Sequence, residues 1–274
     1  MIKSDLHTHT FFSDDGRQDM RVMIEKAISL GLLYYGTSEH FDYDYIAKNL
    51  KIQGREMRQI DANAYFARAR QLQAEYKNKI TYLAGCEFAY DDDTGIQDRY
   101  GEICEKFSPD YIINSVHTCL GKDCYFPDFF EGKSKEYAYN AYLYRILESL
   151  EAPYPFDIVA HIGYCSRNAT YTDPKLRYEE FADILDAILK KIVQKGKILE
   201  VNTSAKTAGS PFIPDTDILK RYFALGGRRV IFSSDAHDET RIADKRDLVS
   251  AALKQIGFTH ITLPVRGQYI AEEL

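Results

Sequence analysis

The 274-residue sequence predicts an α/β barrel of parallel strands, and three observations predict it. Strand-like runs and helix-like periodicities alternate from one end to the other without a break in composition, the pattern of parallel strands joined by right-handed crossovers. The length suits such a barrel as one unit, since these folds typically take about 250 residues; residues 1–274 are read as one domain. Six of the seven histidines lie at, or within two residues of, the C-terminal end of a predicted strand, and a parallel barrel puts all those ends on one rim. A doubly wound open sheet is the alternative, but it gathers its ligand site at one switch point rather than at every strand.

The chain opens on Ser4-Asp5-Leu6-His7-Thr8-His9, an extended run that puts His7 and His9 on one face. Asp19 is a cap for a helix from Met20 to Leu30, with Val22, Met23, Ala27 and Leu30 on one face and Gly31 as its stop. A second apolar run, 32–37, ends in Ser38-Glu39-His40. Residues 41–59 are polar and aperiodic and are expected to form a long functional loop. Asp61 caps the next helix, in which Tyr65, Ala69, Leu72 and Tyr76 share a stripe. The strand Ile80 to Cys86 ends in Glu87, and Asp91-Asp92-Asp93-Thr94-Gly95 is a turn before a short helix over 97–107. Asp110 to Val116 is a strand that ends in His117; residues 118–133 read as a loop and 134–150 as a helix.

Pro153 and Pro155 punctuate the chain ahead of Phe156 to Ala160, a strand that ends in His161. The helix over 177–195 is the clearest, with Phe181, Ile184, Leu185, Ile188, Leu189 and Ile192 on one stripe. Lys197 to Val201 is a strand that ends at Asn202-Thr203-Ser204. A helix over 215–225 stops at Gly226-Gly227, and Arg229 to Ser234 leads to Asp235-Ala236-His237. A helix over 241–256 and a single strand from Phe258 to Leu263 close the chain, with His260 inside that strand and read as structural.

Composition narrows the function. A net charge of −6 with dispersed basic residues leaves no footprint for a polyanion, so extended nucleic-acid binding is not expected. No apolar run is long enough to span a bilayer. The N-terminal stretch turns polar at Ser13-Asp14-Asp15-Gly16, which leaves no apolar signal segment, and a cytoplasmic location is expected. Five scattered cysteines (Cys86, Cys104, Cys119, Cys124, Cys165), none in a C-x-x-C pair, read as free thiols.

The rim residues carry the chemistry. His7, His9, His40, His117, His161 and His237 sit at strand ends, with Glu87 and Asp235 beside them. These eight exceed what one tetrahedral ion can use, so two or three divalent ions are implied. Glu87 is the natural bridge, because its two oxygens can bind different ions. Paired ions about 3.5–4 Å apart activate water and clamp both oxygens of an in-line displacement at phosphorus. Imidazole-rich ligands suit Zn, Mn or Fe, without selecting among them.

The motifs His7-Thr8-His9-Thr10, Ser38-Glu39-His40, Gly85-Cys86-Glu87, Ser115-Val116-His117, His161 and Ser234-Asp235-Ala236-His237 together resemble the PHP (polymerase and histidinol phosphatase) family over essentially the whole chain. With no attached polymerase region, the sequence is similar to the stand-alone histidinol-phosphate phosphatases. The resemblance implies a distorted (β/α)7 TIM-like barrel and a trinuclear site. One ion would be held by His7, His9, Glu87 and Asp235, a second by Glu87, His117 and His161, and a third by Asp15, His40 and His237. Asp15 is preferred to Asp14 because the family places that ligand six residues after the second histidine.

Three positions depart from the family pattern. Glu39 stands where aspartate commonly precedes the histidine, Ser234 where glycine is common, and Lys206 near where the phosphatases carry arginine. Lysine lacks the planar fork for bidentate phosphate binding, so Arg167 is the leading candidate for a phosphate clamp, with Lys206 beside it.

The expected activity is hydrolysis of L-histidinol phosphate to L-histidinol and phosphate in histidine biosynthesis, by attack of metal-bound hydroxide. His237, Asp235 and Glu87 are the candidate catalytic residues, and the expected partner is a small phosphorylated substrate rather than nucleic acid or membrane. The alternatives are a PHP-type 3′→5′ exonuclease or nucleotide phosphatase, and, from another class, a metal-binding regulatory module without turnover.

Overall fold

The computed structural model describes residues 1–52, 54–206 and 209–274. Seven parallel strands are hydrogen-bonded in chain order: β1 (Ser4–Asp5), β2 (Tyr34–Phe41), β3 (Thr81–Ala89), β4 (Ile112–Ser115), β5 (Ile158–Val159), β6 (Ile198–Asn202) and β7 (Val230–Ser233). The sheet curls until its ends meet. Thr8 pairs with Ala236 as an isolated parallel bridge, and the His9 N–H donates to the Ala236 carbonyl at 2.8 Å. Below that bridge the Asp5 carboxylate spans the seam, accepting from the N–H groups of Ser234 at 3.1 Å and Ala243 at 2.9 Å. The result is the expected distorted seven-stranded barrel, closed by one bridge and one side chain instead of a full ladder.

Helices form where the sequence supplies caps and an apolar stripe. Asp19 accepts from the Arg21 N–H at 2.8 Å, Asp61 from Ala64 at 3.0 Å and Ser134 from Tyr137 at 3.2 Å, each satisfying a helix-start donor. The helix Ala182–Gln194 lays Ile184, Leu185, Ile188, Leu189 and Ile192 on the barrel, each burial stabilising by about 1.5–3 kcal/mol. No helix among the described residues is long and apolar enough to cross a membrane.

Many of the tyrosines are core residues with polar tips, while Tyr137, Tyr144 and Tyr269 are exposed. Tyr65, Tyr100 and Tyr142 are buried, and their hydroxyls donate to the carbonyls of Gly85 (2.7 Å), Ala89 (2.7 Å) and His161 (3.2 Å). Tyr111 reaches furthest. It is buried inside the barrel, donates to the Leu6 carbonyl at 2.5 Å, and lies against Gly36 of β2 and Gly85 of β3. Residues two apart on a strand share a face, so Gly85 lies one step below Glu87, and the Tyr111 ring forms the floor beneath the rim.

Several expectations need correction. Residues 41–59 are not a plain loop: they hold a helix, Tyr43–Ala47, and a small hairpin of Lys51–Ile52 with Arg55–Glu56. The helix expected over 97–107 runs Thr94–Phe107, because Asp93 caps it with bonds from the N–H groups of Gly95 and Ile96. Within 118–133, Thr118–Cys119 pairs with Lys122–Asp123. The helices expected from 177 and 241 begin at Ala182 and Arg246, each after a 3-10 turn. The last strand is half of an antiparallel hairpin, His260–Val265 with Gln268–Glu273. That hairpin closes the bottom of the barrel, where Arg266 meets Asp110 through its N–H at 2.9 Å and its Nε at 3.1 Å.

Candidate metal centre

The rim residues come from the C-terminal ends of six strands, His7 with His9 after β1 and Asp235 with His237 after β7, and β2 and β3 pair in a register that sets His40 directly beside Glu87. Glu87 is wholly buried and stands at the centre. Its Oε2 lies 3.2 Å from His7 Nε2, 3.5 Å from His9 Nε2 and 2.9 Å from His40 Nδ1. Its Oε1 lies 3.2 Å from His117 Nε2 and 3.1 Å from His161 Nε2. One carboxylate therefore turns a different oxygen to each of two histidine groups. Burial opposes its charge, but His7, His40 and His117 outweigh that and hold the carboxyl well below its ordinary range.

Asp235 follows β7 in a left-handed conformation, with φ at 53°, a strained setting typical of functional residues. Its Oδ1 lies 3.5 Å from His9 Nε2 and 3.8 Å from His7 Nε2, and its Oδ2 accepts from Arg167 Nη2 at 2.9 Å. His9 packs against both His40 and His237, with ring centroids 4.1 and 4.4 Å away. Asp15 joins that layer, its Oδ1 3.7 Å from His40 Nε2 and its Oδ2 3.1 Å from His237 Nε2. Asp14 points elsewhere, accepting from Arg55 Nη1 and the Arg58 N–H, both at 2.9 Å.

The donor atoms fit metal ions. Four groups have ligand atoms within 4.8 Å of one another: His7, His9 and Glu87; Glu87, His117 and His161; His9, His40 and His237; and His40, Asp42 and His117. His7 Nε2, His9 Nε2 and Glu87 Oε2 are buried yet make no hydrogen bond, although such groups are costly to leave unmatched. Burial disfavours charge on His40, but Asp42, Glu87 and Asp15 prevail and raise it to about 10. His9 is lowered to about 3 by burial and by its neighbours His40 and His237. A cation entering near His40 would displace protons, and one meeting His9 would find the neutral ligand form.

Above the rim lies a cavity of about 410 Å³. Arg167 is buried at its wall, and Nη2 also donates to Asn202 Oδ1 at 3.0 Å. Lys206 donates to the Tyr125 hydroxyl and lies 4.8 Å from the centre of that ring. Arg17, Arg55 and Arg241 line the cavity too, and so do Asp42, Tyr45, Asp123 and Tyr164. The Asp91-Asp92-Asp93 turn takes no part: Asp91 is buried and meets Lys48 and Arg145.

Sequence reasoning missed three carboxylates that support these ligands. Asp42 Oδ1 lies 3.3 Å from His117 Nδ1. Glu39 accepts from the Thr10 and Ser13 hydroxyls at 2.7 and 2.6 Å and so holds the segment after β1. Glu200 accepts from His7 Nδ1 at 2.6 Å. The signal was present for two of them, since Glu39 and Glu200 are acidic residues embedded in strand runs. Nothing in the spacing marks Asp42.

Comparison with known proteins adds an independent line. The PHP domain family matches residues 5–204. A probable histidinol-phosphatase of Clostridium acetobutylicum is 30% identical over 238 residues, covering 85% of this chain and 86% of that protein. The histidinol-phosphatase of Lactococcus lactis is 29% identical over 264 residues, covering 94% and 93%. A crystal structure of the L. lactis histidinol phosphate phosphatase, complexed with zinc, L-histidinol and phosphate, is similar with a TM-score of 0.84 and 26% identity over 98% of both chains.

Proposed function

The chain belongs to the PHP domain family, and from that premise we propose that it hydrolyses L-histidinol phosphate to L-histidinol and phosphate, using two or three divalent ions of zinc, manganese or iron. One observation carries the reading: a chain alike over 98% of its length has been seen with zinc and both products, and here the rim turns unbonded, buried His7, His9 and Glu87 atoms toward one point. His7, His9, Glu87 and Asp235 would hold one ion, Glu87, His117 and His161 a second, and Asp15, His40 and His237 a third. When bound, such ions polarise phosphoryl oxygens and activate water.

The protein's own groups do the rest. Arg167, anchored by Asp235 and Asn202, brings a fixed positive charge to the mouth for the phosphoryl oxygens, with Lys206 and Arg241 further out. His237 Nδ1 donates to the Asp235 carbonyl at 3.0 Å, which leaves Nε2 turned to Asp15. Glu87 and Asp235 keep their negative charge because the surrounding imidazoles, and Arg167 for Asp235, outweigh burial. Loops after β5, β6 and β7 bring Arg167, Lys206 and Arg241, whereas those after β2 and β4 bring Asp42, Tyr45 and Asp123. Arg17, Arg55 and Asp238 share that lining, so the mouth offers both cations and carboxylates, which suits a small substrate carrying a phosphate and a cationic amine. The free cysteines fit a reducing cytoplasm.

Phosphate release over a panel of monoesters tests the proposal. Metal-loaded protein should prefer histidinol phosphate, fall silent after chelation and recover with manganese or zinc. Hydrolysis of other monoesters with histidinol phosphate left intact would refute the substrate. Digestion of single-stranded DNA would favour the nuclease alternative, and stoichiometric metal without turnover the regulatory one.

A further inference from the structure

Glu200 is a fully buried carboxylate in the middle of β6, and none of its ion pairs among the described residues is with lysine or arginine. Its two oxygens go to different places. Oε1 accepts from His7 Nδ1 at 2.6 Å, and Oε2 accepts from the backbone N–H of His161 at 2.7 Å and from Asn202 Nδ2 at 3.2 Å. His7 belongs to the group with His9 and Glu87, and His161 to the group with Glu87 and His117. His161 moreover has a positive φ of 22°, a backbone setting that a non-glycine residue keeps only when its surroundings hold it there.

We infer that Glu200 is a positioning residue shared by two ion sites: it fixes His7 as the Nδ1–H tautomer, so that Nε2 faces the centre, and it pins the His161 backbone. A buried carboxylate serving only the core would have no reason to select one imidazole tautomer and one strained amide from two ligand groups. Outer partners of this kind typically change metal affinity by about 10–100-fold when removed. Their action here is joint, because Glu87 bridges the two groups from one side and Glu200 ties them from the other. The inference rests on the reading of the rim as a metal centre, and not on which phosphomonoester is the substrate.

Glu200→Gln is the informative change. An amide has one carbonyl oxygen, so it can accept from His7 or from His161, and its NH₂ then opposes the remaining donor. The experiment strips the full-length protein with chelator and titrates zinc against a chromophoric competitor, with cobalt absorption reporting ligand geometry. In the variant two ions, those of the His7 and His161 groups, should bind about 10–100-fold more weakly, with the far-ultraviolet circular dichroism of the stripped protein unchanged. Unchanged affinities, or weakening of one ion alone, would overturn the inference. Should the variant fail to fold, the wild type decides: in its zinc-loaded nitrogen–proton correlation spectrum His7 Nδ1 should carry the proton, and a proton on Nε2 refutes the role. If the wild type itself takes up no metal, the metal-centre reading fails and this inference falls with it.

Discussion

Replacing Gly85 by alanine puts a methyl group into the Tyr111 ring. A Cβ built at Gly85 lies 2.3 Å from Tyr111 Cζ and 2.6 Å from Cε1 and Cε2, whereas relaxed carbon contacts lie at about 3.5–4.0 Å. The ring is fixed from two sides, since its oxygen packs against the bare backbone of Gly36 and its hydroxyl is bonded to the Leu6 carbonyl. Overpacking of this kind costs about 1–3 kcal/mol, and a displaced hydroxyl that leaves a buried carbonyl unmatched costs about 1–3 kcal/mol more. We expect Gly85→Ala to destabilise by about 2–6 kcal/mol, a fall in Tm of roughly 4–12 °C for a chain of this size. The assay is urea and thermal unfolding of chelated protein, so that metal affinity does not enter. A double-mutant cycle sharpens it. Tyr111→Ala alone should cost about 3–5 kcal/mol, but in that background the Gly85 methyl gains room, and Gly85→Ala should become neutral or stabilise by up to about 1 kcal/mol. Effects that add within about 0.5 kcal/mol would refute the claim that the ring fills the space above Gly85.

Three further predictions concern the centre. Glu87→Gln should reduce bound metal at two sites at once, read by elemental analysis of dialysed protein, because each oxygen serves a different histidine group. Arg167→Ala should lower kcat/KM for phosphate release by about 10²–10³-fold, and Arg167→Lys should recover only part of it, since lysine cannot reproduce the fork held by Asp235 and Asn202. Asp15→Ala should lose metal or weaken its retention, while Asp14→Ala leaves metal content intact and loosens the Arg55 and Arg58 contacts, seen as faster tryptic cleavage after those two arginines.

Much of this architecture was legible because apolar runs lead into His40, Glu87, His117 and His161, although β2 and β3 continue past the first two, and because aspartates mark helix starts. What escaped has physical reasons. Tyr43–Ala47 is too short to show a helical period, and its Tyr45 is held by Asp123 from another loop. Gln268–Glu273 alternates buried and exposed only weakly, though Arg266 and Gly267, both with positive φ, form the kind of turn that joins hairpins. The ligand histidines announce themselves by position, but Asp42 and Glu200 act on other residues' rings. Such a role depends on a neighbour that spacing along the chain does not identify.

The seam between β1 and β7 also sets an order of events for the chain as it folds. Asp5 meets Ser234 across 229 residues of sequence and Ala243 across 238, so the barrel closes by contacts between the two ends of the chain. Closing so large a loop costs entropy that earlier pairings, β1 to β2 and onward, do not face. His7 and His9 lie on one bank of that seam, Asp235 and His237 on the other. A ribosome-bound chain that has exposed six strands therefore holds Glu87, His117 and His161 but lacks Asp235 and His237, so the two ion groups that include those residues are still incomplete. Ions shared between His7 or His9 and Asp235 or His237 would have to wait for the last strand, and once bound they would fasten the two ends of the barrel.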